Sequence, residues 1–203
     1  MSGLVYFASP MCSWCWGFSP NIEKLSQAYP AKNIRLVLTP FRVDTTEPMD
    51  KKLRDYVLGQ WHKVHTTTSQ PFDFNFSVAD DFIYNTKLVG QAIKAFKQQI
   101  ADKELEFVKI LQQAFYVYNK NITDEEVLLE LAQNFPIDIQ GFKRALHSKD
   151  IEDELNQDFK LCQELSVHSY PTLMYVLQDE YKVLVEGYLP YAELKQKIET
   201  AID

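Results

Sequence analysis

Apolar residues fall along this chain in two rhythms. Near both ends they form short runs of strand length, and between residues 49 and 166 they recur at helical spacing. Residues 4–8 (Leu-Val-Tyr-Phe-Ala) have no polar alternation, which predicts a strand buried on both faces. A helical segment follows from Cys12. Its face of Ile22, Leu25 and Tyr29 is stopped by Pro30. Pro20 lies inside it and lacks the N–H that a helix interior needs, so a kink is expected at residues 18–20. Residues 33–39, with Ile34, Leu36, Val37 and Leu38, predict a second strand, parallel to the first across the intervening helix. Pro40 opens a loop that reaches Pro48.

The middle of the chain reads as helix after helix. A short helix is expected over residues 51–61, and a loop rich in Phe over residues 66–76. Another helix covers 88–100. Phe107, Val108, Leu111, Ala114, Phe115 and Tyr118 mark the face of the next. Thr123-Asp124-Glu125-Glu126 reads as a capping box opening a helix through Val127, Leu128, Leu131 and Ala132. Asp138 caps a short helix carrying Ile139, Phe142 and Leu146, and a last one places Ile151, Leu155, Phe159 and Cys162 on one side. Strands return at 172–176 and 181–186, the second with Val183 and Val185 alternating, joined through residues 178–180. Gly187 ends that strand. Pro190 starts an amphipathic helix through Leu194, Ile198 and Ile202. The skeleton is βαβ, a helical block, then ββα. It predicts an α/β thioredoxin fold with a mixed four-stranded sheet over residues 1–48 and 167–203, and an all-helical domain inserted over 49–166.

Composition narrows the function. A length of 203 residues with 46% hydrophobic and 24% charged positions suits one globular unit, or a core unit carrying an insertion. Aromatics make up 13%, enough to fill a core or line a groove. A net charge of −7 argues against nucleic acid or an anionic membrane as partner. No signal-like segment and no stretch long enough to span a membrane is visible, so a cytoplasmic location is expected. Three cysteines cannot all pair within the chain. In a reducing compartment, two close thiols point to catalysis or metal binding.

Two of those thiols are Cys12 and Cys15, between the first strand and the first helix. The N–H groups at a helix N-terminus favour a thiolate, the species that attacks disulfides. Cys12 is expected at the helix start and open to solvent, with Cys15 one turn on, placed to resolve a mixed disulfide. Half of a zinc site, completed by Cys162 and His168, and a pair of inert buried thiols are the competing readings. Cys162 otherwise reads as a small buried hydrophobe. Trp14, Trp16, Phe18, Trp61, Phe72 and Tyr170 could line an apolar groove near Cys12 or simply fill the core. His62 and His65 read as surface or groove residues, and Glu23, Lys24 and Asp44 as candidates for moving the proton of the second thiol. Pro171 cannot donate to a sheet ladder, so it must stand at the entrance of the third strand.

From Pro10 to Phe18 the chain matches the pattern D-P-M-C-S-W-C-W-G-F, with Ser9 in place of the Asp. Gln70-Pro71-Phe72 and Tyr84-Asn85-Thr86 are similar to segments that read T-G-Q-P-F and Y-D-T, with Ser69 and Asn85 as departures. Ser169-Tyr170-Pro171 stands where Gly-Phe-Pro or Gly-Tyr-Pro is usual. On these segments the chain resembles the DsbA family of thioredoxin-fold proteins, and within it the cytosolic subgroup described as protein-disulfide isomerases. The resemblance implies a thiol–disulfide oxidoreductase with Cys12 as nucleophile and Cys15 as resolving thiol. It implies a cis bond before Pro171, whose backbone, with Tyr170, binds an extended substrate. It implies no resident cofactor, with glutathione as reductant or co-substrate. The partners would be protein or small-molecule disulfides and a glutathione or thioredoxin-type electron donor. Ser9-Pro10-Met11-Cys12 also echoes the Ser-Pro-x-Ser of kappa-class glutathione transferases and hydroxychromene-carboxylate isomerases, an alternative on the same scaffold. A third reading is a binding module or chaperone that uses the groove without turnover.

Overall fold

The computed structural model describes residues 2–28 and 34–202, and for Ser2 and Ile202 the backbone alone. The expected helix end at Tyr29-Pro30, the strand start at Asn33 and the side chain of Ile202 lie outside the described residues. Four strands form one mixed sheet in the order β2-β1-β3-β4. β1 (Ser2–Ala8) pairs parallel with β2 (Ile34–Leu38) and antiparallel with β3 (Thr172–Leu177), which pairs antiparallel with β4 (Glu180–Glu186). The unbroken apolar run of β1 is explained by its central place. Leu4, Tyr6 and Ala8 join one apolar cluster, while Val5 and Phe7 join a second with Val37, Cys162, Val167 and Met174.

The β3–β4 turn is Gln178-Asp179, with φ of 51° and 67°, the left-handed pair that a two-residue hairpin requires. Val183 and Val185 do not share a face in the way their spacing suggests. The pairs Leu173↔Val185 and Met174↔Val183 leave Leu184 as an extra residue in a bulge. Leu184 and Val185 are both buried, and Val183 is 48% exposed.

Helix α1 (Ser13–Ala28) leads from β1 to β2 and is continuous through Pro20. Pro20 has no N–H for the Trp16 carbonyl, which instead accepts from Ser19 Oγ and Gln70 Nε2, each at 2.8 Å. Helix α2 (Lys51–Thr68) runs on past the expected Trp61 end. Thr66, Thr67 and Thr68 do not open the loop. Their hydroxyls donate to the carbonyls of His62, Lys63 and Val64, one turn back, and Ser69 ends the helix at φ 62°. At the α1–α2 contact a Cβ on Gly17 would meet Val64 Cγ1 at 2.7 Å, so only glycine lets the helices approach this closely.

Helices α3 (Lys87–Gln99), α4 (Glu104–Tyr116), α5 (Glu125–Ala132), α6 (Ile139–Leu146) and α7 (Lys149–Glu164) complete the block before β3, and α8 (Tyr191–Ile202) follows β4. α4 stops at Tyr116, which leaves Tyr118 outside it and exposed. The capping box before α5 is not formed. Thr123 Oγ1 donates to Asn121 Oδ1, and Asp124 is the cap, accepting the N–H of Glu126. Asp138 caps α6 through the N–H of Gln140.

One apolar cluster runs from Leu4 and Leu36 on the sheet through α1 and α8 into the Phe96, Phe107 and Phe115 core of the helices. A buried ion pair fastens the block to the sheet. Lys94 Nζ of α3 lies 2.5 Å from Asp158 Oδ2 of α7, and the same carboxylate oxygen accepts the N–H of Leu38 at the end of β2, at 2.8 Å. This fixes the point where the chain leaves β2 for Phe41 and Arg42, beside the cysteines.

Candidate active site

Cys12 stands at the junction of β1 and α1. Its N–H donates to the Ser9 carbonyl at 3.2 Å, and its own carbonyl accepts from Cys15 at 3.0 Å and Trp16 at 3.1 Å. It is therefore the residue before the first helical turn, where N–H groups have no partner within the helix. Two of these, of Trp14 and Cys15, donate to Cys12 Sγ, as does the Cys15 thiol. The Cys12 pKa is held below its ordinary value, chiefly by the Cys15 thiol and further by those N–H groups, against the opposing effect of burial. Cys15 is pushed well up, first by burial, then by donating to Cys12 and by the charge there. The pair thus holds its first charge on Cys12 and its remaining proton on Cys15. All three cysteines are free thiols. Cys12 is not open to solvent as expected. It is 8% exposed, and Cys15 is fully buried.

The opening to Cys12 is a cleft of about 240 Å³ with walls that include Trp14, Phe41, Arg42, Trp61 and Tyr84. Tyr84 donates its hydroxyl to the carbonyl of Met11, next to Cys12. Tyr6, Tyr84 and Tyr116 surround the dithiol, their phenol pKa values raised above all by burial. The candidates for moving a proton are elsewhere. Glu23 pairs with Lys109 at 2.7 Å, Lys24 sits over the Tyr191 ring and Asp44 is exposed. Sequence reasoning missed the tyrosines and Arg42. For Tyr6 a signal existed: it sits in β1 on the face of Leu4 and Ala8, the face on which α1 packs, and its ring lies 6.0 Å from Phe18.

β3 brings the other wall. Cys12 Sγ lies 3.8 Å from the Tyr170 carbonyl oxygen, and the Tyr170–Pro171 bond is cis. The Pro171 carbonyl accepts the N–H of Gly187 at 2.7 Å. The Tyr170 ring is 6.3 Å from Phe41. Cys12, Cys15, Trp14, Tyr170 and Pro171 thus come together, and Trp16 does not face the groove. Trp16 is 2% exposed, stacks on Tyr116 at 6.1 Å and donates Nε1 to the Pro71 carbonyl at 2.9 Å. Phe18 is core as well, whereas Trp61, although fully buried, forms the floor of the cleft.

Cys162 and His168 do not complete a metal set with the dithiol. Cys162 lies in the apolar cluster of the opposite sheet face and His168 is exposed. Among the described residues no group of three or more His, Cys, Asp or Glu is placed to hold a metal ion. His62 stacks on Phe74 at 4.1 Å, and His65 Nδ1 is 2.8 Å from the Gln70 carbonyl oxygen.

A βαβ–ββα sheet with a dithiol at the first helix N-terminus defines a thioredoxin-fold protein of the DsbA-like kind. The family described as Thioredoxin matches residues 6–196, and the chain belongs to it. A crystal structure from Nitrosomonas europaea, provisionally described as a protein disulfide isomerase, superposes with a TM-score of 0.91 at 29% identity, covering 99% of this chain and 97% of that one. The cytosolic disulfide reductase DsbM from Pseudomonas aeruginosa shares the fold, with a TM-score of 0.80 at 21% identity and 98% of each chain covered. The ClpXP adapter protein SpxH of Bacillus subtilis is 30% identical over 172 residues, 83% of this chain. The chain spans 56% of that relative's length, and 62% of that of SpxH from Halalkalibacterium halodurans. No helix among the described residues is long and apolar enough to cross a membrane.

Proposed function

We propose that this protein is a thiol–disulfide oxidoreductase working in the reducing direction. The observation that carries the oxidoreductase reading is the geometry of the dithiol: Cys12 stands at the N-terminus of α1, one turn from Cys15 and 3.8 Å from the carbonyl before the cis Pro171. Cys12 thiolate attacks a substrate disulfide, one thiolate leaves, and a mixed disulfide forms against Tyr170 and Pro171. Cys15 then gives up its proton, attacks the Cys12 sulfur and releases the second thiolate. Two electrons pass to the substrate and a Cys12–Cys15 disulfide remains. Glutathione or a thioredoxin-type dithiol regenerates the protein, in the cytoplasm, where the redox poise favours reduction or isomerisation over net oxidation. Cys12→Ser abolishes reduction of insulin and of low-molecular-weight disulfides, and Cys15→Ser accumulates mixed disulfides detectable by mass spectrometry. Full reductase activity in Cys12→Ser overturns the reading. Glutathione conjugation that survives loss of Cys15 favours the transferase alternative instead.

The SpxH relatives favour a second reading, an adapter that presents a partner without turnover. That role predicts that a chain with both Cys12→Ser and Cys15→Ser keeps its whole function.

A further inference from the structure

The cleft above Cys12 has one feature that thiol chemistry does not use. Among the described residues that line it, Arg42 alone has a permanently charged side chain, and it is placed at some backbone cost. Its φ is 57°, in the left-handed region that residues other than glycine rarely occupy. The guanidinium carbon stands 5.0 Å from the centre of the Tyr84 ring and 5.6 Å from that of Phe41. Tyr84 in turn grips the Met11 carbonyl, so the cation is held over the element that positions Cys12. Among the described residues no carboxylate lies within ion-pairing distance of Arg42, although the chain is acidic overall with a net charge of −7. A guanidinium seated on aromatic faces keeps its five donors aimed outward, and carboxylates fit that fork.

We propose that Arg42 selects a carboxylate on the substrate, and that the preferred substrates are low-molecular-weight organic disulfides bearing a carboxylate on the arm next to the sulfur. This inference rests on the oxidoreductase reading above. The volume of about 240 Å³ suits one arm of a small disulfide rather than a folded protein. Attack by Cys12 releases the other arm as a thiolate, and the arm bound at Arg42 stays attached to Cys12 until Cys15 displaces it as the second thiolate. Two electrons and no further reactant are needed for one turnover of the reduced protein.

The test is a single-turnover series with pre-reduced protein and three disulfides of similar size: dithiodipropionate (anionic), bis(hydroxyethyl) disulfide (neutral) and cystamine (cationic). Oxidation is followed by tryptophan fluorescence, since Trp14 lies between the two cysteines and Trp16 follows Cys15. Each rate is normalised to the same disulfide reacting with dithiothreitol. The wild type favours the anion and disfavours the cation. Arg42→Ala lowers the anionic-to-neutral ratio by about tenfold, the scale of one charge-assisted hydrogen bond, and Arg42→Lys keeps part of the preference. Lys182→Ala, which removes one charge outside this cleft, measures general steering and leaves the ratio nearly unmoved. An unchanged ratio in Arg42→Ala, or an equal fall in Lys182→Ala, overturns the assignment. A Cys12→Ser protein that reacts as fast as wild type overturns the oxidoreductase reading instead, whatever the ratio.

Discussion

Cys12 and Cys162 differ little in exposure, 8% against 2%, and greatly in what faces the sulfur. Cys12 Sγ receives hydrogen bonds from backbone N–H groups and the Cys15 thiol. Cys162, in the other apolar cluster, donates its thiol to the Leu38 carbonyl at 3.7 Å and lies near Asp158. Burial first, and then the Asp158 charge, push the Cys162 pKa up to about 12. Each sulfur has a carbonyl within reach, so the difference lies elsewhere: at Cys12 the Cys15 thiol and the N–H groups of α1 outweigh burial, whereas at Cys162 burial and the Asp158 charge prevail.

The largest effects test this contrast directly. Cys12→Ser lowers disulfide reduction by roughly a thousandfold or more, whereas Cys162→Ser leaves it at the wild-type level. Iodoacetamide followed by peptide mapping gives an adduct at Cys12 in the folded, reduced protein and one at Cys162 only after unfolding. An adduct at Cys162 in the folded state breaks the comparison. Next in size is the carboxylate that suppresses Cys162. Asp158→Ala strands Lys94 and the Leu38 N–H inside the protein and costs about 3–5 kcal/mol in urea unfolding. Lys94→Met with Asp158→Leu removes both charges together and recovers the part of that loss due to Lys94, leaving the unpaired Leu38 N–H to cost about 1–3 kcal/mol.

The sequence made the strands and the dithiol legible, because uninterrupted apolar runs and a Cys-x-x-Cys at a strand–helix junction carry their physics locally. What it hid depended on partners far along the chain. Three threonines in a row read as a loop, yet as helix their hydroxyls bond back to α2. Period two placed Val183 with Val185 until a bulge reset the register. Trp16 could not be assigned to core or groove without knowing that the Pro71 carbonyl takes its N–H. Glu23 drew attention as a charged residue on α1, but folding turns it outward to Lys109, and three uncharged tyrosines take the place at the sulfurs.

Gln70 tests how firmly the donors are held at Cys12. With Ser19 Oγ it replaces the hydrogen bond that Pro20 denies to the Trp16 carbonyl, one residue beyond Cys15. Gln70→Ala costs about 0.5–1.5 kcal/mol, because Ser19 Oγ still donates to that carbonyl. It costs less in a Pro20→Ala background, where residue 20 can donate its own N–H, and a double-mutant cycle measures that coupling. If the first turn of α1 loosens with it, the Cys12 pKa moves back toward the ordinary thiol value while Cys162 does not change. Thiolate absorbance against pH in Cys162→Ser separates the two. An intact low Cys12 pKa in Gln70→Ala would show that the N–H groups hold their places without this clamp.

The smallest effect is a dependence of stability on pH, and its sign follows from the dithiol. In the unfolded chain both thiols titrate near their ordinary value of about 8.5. The folded pKa of Cys12 is lower, so between that value and about 8.5 the unfolded chain binds more protons than the folded one. Reduced protein therefore gains stability as pH rises across that window, by at most about 1.4 kcal/mol per pH unit, and loses the gain as pH falls through the folded Cys12 pKa. Cys15 works oppositely. Its raised pKa means that above about 8.5 the folded protein keeps a proton that the unfolded chain releases, so stability falls with further alkali. The reduced protein is thus most stable near the ordinary thiol pKa, which urea titrations across pH 5 to 10 resolve. Cys12→Ser removes the rising limb, and Cys162, whose pKa is also raised, adds only to the falling one. A rising limb that persists in Cys12→Ser would place its origin in some other group and detach the low pKa from Cys12.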